Sequence, residues 1–184
     1  MVEETNVLEL LADEHRGVDE LFQRIDMIDA GAHELRRDLS DQVTSMLIRH
    51  TVAEEAIVYP ALAEHDEREA ARARDDHAEV EEALKKLEQL SADSDEFTEV
   101  LRTVIDNVRE HIAEEEGPMF DELRVSYSEQ DLRKMGAKVQ HLESLAPTRP
   151  HPSAPDSPAA HLMIGPVAGL FDRLRDVASG RTTG

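Results

Sequence analysis

Four stretches of the sequence place apolar residues at steps of three and four, and in each one a histidine interrupts the stripe. Such steps keep residues on one face of an α-helix, the face it buries. The first stripe reads Leu8, Leu11, His15, Val18, Phe22, Ile25, and the third Ala70, Ala73, His77, Val80, Leu84, Leu87. The second climbs through Leu35, Leu39, Val43, Met46 and Leu47 and then lands on His50, Glu54, Ile57 and Val58. The fourth, Phe97, Leu101, Val104 and Val108, lands on His111, Glu115 and Met119. A buried carboxylate without a partner is costly, so Glu54 and Glu115 each demand one.

These patterns predict helices over about Asn6–Asp29, Ala32–Glu64, Glu67–Leu90 and Ser94–Tyr127. "NVLE" at Asn6 reads as a capping box, and Pro60 is expected to bend the second helix near its end. The joining segments, one with Gly31 and one reading "SADSDE", are short, which forces neighbours to run antiparallel. The expected fold is all-α: an up-down-up-down four-helix bundle with a fifth helix, about Ser128–Ser144, across one end. Residues 1–145 form that domain. Residues 146–161, "APTRPHPSAPDSPAAH", read as an extended Pro-rich linker, and residues 162–184 as a short amphipathic helix and tail. The apolar face Val167, Leu170, Phe171, Leu174 and Val177 is too short to persist alone in water. It is expected to dock on its own bundle or to mediate self-association.

Composition narrows the function. Among 184 residues, 41 are acidic and 20 basic, a formal charge of −21. That surface offers no basic footprint for nucleic acid and none for an anionic membrane, but it suits cations. The absence of cysteine removes disulfides, zinc–thiolate sites and thiol catalysis. "MVEETNVLEL" lacks the basic flank and apolar run of a signal peptide, and no apolar run approaches a membrane span. A cytoplasmic location is the expectation.

The chain also repeats itself: His15 to His50 is a step of 35 residues and His77 to His111 one of 34. "DEHRGVDELF" parallels "DDHAEVEEAL", and "HTVAEEAIVY" parallels "HIAEEEGPMF", as two copies of one helical hairpin would. His15, His50, Glu54, His77, His111 and Glu115 should therefore meet at similar depth. A histidine and a glutamate at i and i+4 share a helix face, so one cation can hold both or the carboxylate can bridge to a second. Two such pairs and two single histidines suit two adjacent metals, each with about two imidazoles, bridged by the glutamates. Imidazole and carboxylate without sulfur fit iron, manganese or zinc, and in helical bundles mainly iron or manganese. His33, His65, His141, His151 and His161 lie off the pattern and read as solvated or incidental.

Residues 6–127, through "DEHRGVDELF", "HTVAEEAIVYP", "DDHAEVEEAL" and "HIAEEEGPMF", resemble the hemerythrin-like, or HHE cation-binding, family. The resemblance implies two iron ions in a non-haem centre, oxo- or hydroxo-bridged, that reacts with dioxygen, peroxide or nitric oxide. Matched motif by motif, it assigns His15 and His77 as single ligands and His50–Glu54 and His111–Glu115 as paired ones. The chain departs from oxygen-carrying members at Ala73, where those have a further histidine, and at Glu116, where they have aspartate. The missing imidazole leaves one metal less filled and turns the site from carriage toward chemistry.

Neighbouring residues leave alternatives open. Asp19 and Glu81 lie four residues after His15 and His77, as acceptors that orient imidazoles or as solvated charges. Tyr59 either points a phenol at the metals or packs like its counterpart Phe120, packing being the expected role. Glu55 and Glu116 could replace their neighbours as ligands, although their helical angle favours Glu54 and Glu115. The expected function is sensing, scavenging or catalase-like breakdown of small oxidants under oxidative stress. The alternative is an iron storage or signalling module without turnover.

Overall fold

A computed structural model of the chain describes residues 5–29 and 31–145. The linker and short C-terminal helix expected over residues 146–184 lie outside the described residues. Within them every element is helical: α1 (Val7–Met27), α2 (His33–Ala53), a π-helical turn (Glu54–Val58), α3 (Tyr59–Ala63), α4 (Glu67–Gln89) and α5 (Asp95–Glu114). A second π-helical turn (Glu115–Met119), α6 (Phe120–Ser126) and α7 (Glu129–Leu145) follow. No helix among the described residues is long and apolar enough to cross a membrane.

The helix starts follow local chemistry. The Asn6 side chain accepts from the Leu8 N–H at 2.9 Å, Asp66 from Glu69 N–H at 3.0 Å and Ser94 from Phe97 N–H at 3.1 Å. Each satisfies a donor that the first turn leaves free. Asn6 also donates from its amide to Glu129 of α7 at 2.9 Å, tying the start of the bundle to the fifth helix.

The second and fourth helices differ from expectation in one way. Each was expected to run on through its glutamate as α-helix, and each instead widens into a π-turn that begins at that glutamate. The Tyr59 N–H reaches back five residues to Glu54 C=O, and the Phe120 N–H does the same to Glu115 C=O. Prolines explain the position: Pro60 and Pro118 have no N–H to give to the α-helical ladder, and a wider turn absorbs the gap.

The core divides into two apolar clusters. One gathers Val18, Phe22, Leu39, Val43, Leu84, Phe97 and Val104 with their neighbours. The other gathers Leu11, Ala53, Val58, Tyr59, Ala73 and Phe120 with Leu132 and Val139 of α7. Along α1 and α4 the chain meets the second cluster first, and along α2 and α5 the first. In α1, α2 and α4 the changeover falls at the histidine, and at the end of α5 it falls just beyond His111, between Ile112 and Met119. The expected fifth helix is α7, which packs on α1, α2 and the first π-turn. Its Gly136 passes so close to Thr5 that a β-carbon would collide with the Thr5 carbonyl oxygen.

Candidate metal centre

The layer between the clusters holds all six residues singled out by the sequence: His15, His50, Glu54, His77, His111 and Glu115, each at most 7% exposed. The Nε2 atoms of His15 and His50 are 3.0 Å apart, and those of His77 and His111 3.1 Å. Glu54 joins the two pairs, with Oε1 3.1 Å from His50 Nε2 and Oε2 3.3 Å from His77 Nε2. Glu115 joins them again, its Oε2 lying 3.2 Å from His15 Nε2 and 3.7 Å from His111 Nε2. Each carboxylate thus faces one imidazole on its own helix and one across the bundle.

Such a cluster is expensive unless a cation completes it. None of the four oxygens of Glu54 and Glu115 makes a hydrogen bond, although all are buried. Donor atoms about 3 Å apart are at the spacing of adjacent ligands on one metal with bonds of about 2.1 Å. Among the described residues two groups could hold an ion, His15, His50, Glu54 and Glu115 on one side and Glu54, His77 and His111 on the other. Glu54 belongs to both groups, as a bridge requires.

Tyr59 belongs to the layer as well. It is fully buried, and its Oη lies 3.0 Å from His77 Nε2 and 3.3 Å from His111 Nε2. Packing, the role expected for it, accounts for its ring within the second cluster and not for its phenol. The counterpart Phe120 stacks beside His15, ring centroids 6.3 Å apart and planes 16° from parallel, and brings no donor. The two halves of the layer are therefore chemically unequal.

A ring of carboxylates surrounds the imidazoles. Glu14 of α1 accepts from His50 Nδ1 of α2 at 2.8 Å, and Glu55, after α2, from His77 Nδ1 of α4 at 3.4 Å. Asp76 of α4 faces His111 Nδ1 of α5 at 3.7 Å, and Glu116, after α5, accepts from His15 Nδ1 of α1 at 2.9 Å. Each helix hands a carboxylate to the histidine of the next, around the bundle and back. An ionised carboxylate only accepts, so where it meets Nδ1 of His15, His50 or His77 that nitrogen carries hydrogen, and Nε2 is left as the one that can offer a lone pair to a cation. Asp19 and Glu81 take no part in this. Asp19 accepts from Gln23 and Arg109, and Glu81 pairs with Lys85. The i+4 spacing that suggested them sees one helix only, whereas the acceptors come from the neighbouring one.

Burial and charge set the protonation of the layer before a metal enters. Burial opposes charge on His50, but Glu54, Glu14 and Glu115 outweigh it and hold its pKa well above the usual value. Burial likewise opposes a charged His77, and Glu54 and Glu55 lift it to about 9. His111, buried and facing the other imidazoles, falls to about 3. Burial pushes Glu54 up, yet the adjacent His50 and His77 carry it well below the usual range. Burial and the Glu54 charge raise Glu115 to about 7. Burial and the two carboxylates raise the Tyr59 phenol well above its ordinary value.

The off-pattern histidines stay out of the layer, as expected: His33 Nδ1 donates to Ala92 C=O at 3.2 Å, and the His65 ring meets Tyr127 edge-on. His151 and His161 lie outside the described residues.

Comparison with known proteins agrees with this geometry. The family model of the hemerythrin HHE cation binding domain matches residues 6–123. The chain is similar to an uncharacterized hemerythrin-like protein of Schizosaccharomyces pombe, 29% identical over 177 residues, covering 94% of this chain and 86% of that one. It is also similar to a DNA nickase of Nostoc sp., 21% identical over 143 residues, covering 77% of this chain and 40% of that protein. No solved structure matches.

Proposed function

Because the chain belongs to the hemerythrin HHE cation-binding family, we propose that the buried layer is a non-haem di-iron centre that reacts with a small oxidant: dioxygen, peroxide or nitric oxide. The observation that supports this most is the pairing of four inward Nε2 atoms across two shared carboxylates. His15 and His50 would hold one ion, His77, His111 and the Tyr59 phenol the other, with Glu54 and Glu115 between them. A donor set of imidazole, carboxylate and phenol, without sulfur, favours iron or manganese. Bound iron supplies the electrons and the open coordination position that such oxidants need.

The chain's own residues do the rest. Tyr59 fills the His77 and His111 side, while Phe120 leaves the His15 and His50 side one donor short. The small ligand is received there. Phe120, stacked beside His15, covers that side with an apolar ring. Glu14, Glu55 and Glu116 fix the tautomers of His50, His77 and His15 and strengthen their donor nitrogens, which favours the higher oxidation state. At the rim, burial and the neighbouring Glu14 carboxylate raise Glu143 to about 7. Near neutrality it can take up or release a proton there, one carboxylate removed from His50 Nδ1. The net charge of −21 gives no footprint for a polyanion, so no nucleic-acid activity is carried over from the nickase.

Peroxide consumption tests the reading. Iron-loaded protein should break down many equivalents of peroxide, and the His50→Ala variant should not. Iron that stays bound while peroxide persists would favour the storage or signalling module.

A further inference from the structure

His111 is the weak link in the carboxylate ring. The other three imidazoles have Nδ1 bonded at 2.8–3.4 Å, whereas His111 Nδ1 is buried without a hydrogen-bond partner, 3.7 Å from Asp76. The same histidine, 7% exposed, forms the wall of a cavity of about 300 Å³ between α4 and α5. Asp76, Glu79, Glu110 and Glu114 line that cavity with Arg72. Arg72 is engaged by Glu114 and, at 3.4 Å, by Glu69. One guanidinium thus stands against four carboxylates, directly outside a metal-ligand imidazole.

We propose that this cavity is the port through which a divalent cation reaches the buried layer: its carboxylates gather the ion, and the untethered His111 ring passes it inward. The proposal rests on the metal centre described above and adds the route by which that centre fills. A cleft lined by one sign of charge concentrates counter-ions and raises their rate of arrival by ~10- to 10³-fold. Oxygen donors suit a hydrated ferrous ion, and with no hydrogen bond at Nδ1 the His111 ring gives up only its Nε2 contacts to His77 and Tyr59 as it turns. The other cavity beside the layer, about 820 Å³, reaches Glu116 and Phe120. Its charges are mixed, with Arg16 and Arg124 among Glu9, Asp13, Glu116 and Glu129, and Leu8, Phe120 and Leu132 add apolar lining. That opening suits a neutral oxidant better than a cation.

The test uses full-length protein stripped of metal and mixed at low ionic strength with Co(II), a redox-stable stand-in for ferrous iron whose bound form absorbs visibly. Glu79→Gln/Glu110→Gln neutralises the port, and Glu9→Gln/Asp13→Asn neutralises the other opening by the same charge. The port variant should bind Co(II) at least ~10-fold more slowly yet reach the same final stoichiometry, and the control should stay within about twofold of wild type. Wild-type rates in the port variant, or equal slowing in both variants, would overturn the port while leaving the centre intact. No uptake by the wild type would remove the centre, and the port with it.

Discussion

Filling the layer with metal must expel protons, and the number follows from the charges that hold them. At pH 7 His50 and His77 are protonated, since both pKa values are raised, that of His77 to about 9. Each must lose the Nε2 proton while Nδ1 keeps its own against Glu14 or Glu55. Glu115, near 7, holds about half a proton, and His111, near 3, holds no ionising one. His50, His77 and Glu115 together therefore release about 2.5 protons per filled centre. If Tyr59 binds as phenolate it adds about one more, giving ~3.5. Calorimetry of Zn(II) binding in buffers of different ionisation enthalpy measures the count, and Tyr59→Phe should lower it by about one. Apparent affinity should accordingly rise by about three decades per pH unit near neutrality and less steeply above pH 9, where His77 is already neutral. Release of fewer than about one proton would refute the account, because the paired charges would then not be what a cation replaces.

Three further outcomes follow from the same geometry. Glu54→Ala and Glu115→Ala should lose metal outright, whereas Glu55→Ala and Glu116→Ala, which act through His77 and His15, should keep the stoichiometry and lose ~10- to 100-fold in affinity; equal retention in all four by elemental analysis would contradict the assignment. Metal-free protein should melt at progressively lower temperature from pH 7 to 9. His77, with a folded pKa of about 9 above its ordinary 6.5, lends stability that is complete below 6.5 and lost as pH rises through 9; Glu115, raised from 4.5 to about 7, acts in the same direction at lower pH. A flat melting temperature over that range would count against the paired charges. Truncation before Pro147 should leave metal content unchanged, since no histidine or carboxylate of residues 147–184 lies on a bundle stripe; a truncated protein that no longer holds metal would place the tail within the domain.

What the sequence disclosed was whatever depends on position along one helix. The stripes named the buried faces, and six polar residues on those faces proved to be the six that meet. Tyr59 was harder to place because its direction depends on a helix that is not an α-helix. In an α-helix the residue five beyond Glu54 lies ~140° around the axis, away from the layer. The π-turn brings it back above Glu54, so the phenol enters the site. Pro60 and Pro118 were the visible signs, although a proline alone also fits a simple bend. The outer carboxylates were hidden for a different reason. Glu14, Glu55, Asp76 and Glu116 each stand next in sequence to a candidate ligand but serve the histidine of another helix. Adjacency along the chain was legible, and partnership across the bundle was not.

The central claim is a two-metal centre, and metal analysis with an optical spectrum of protein purified without added metal tests it most directly. The account predicts about two ions per chain, mainly iron, with near-ultraviolet absorption from a bridged ferric pair and a phenolate band that Tyr59→Phe removes. A single zinc ion per chain, or no metal after metal-replete expression, would contradict it.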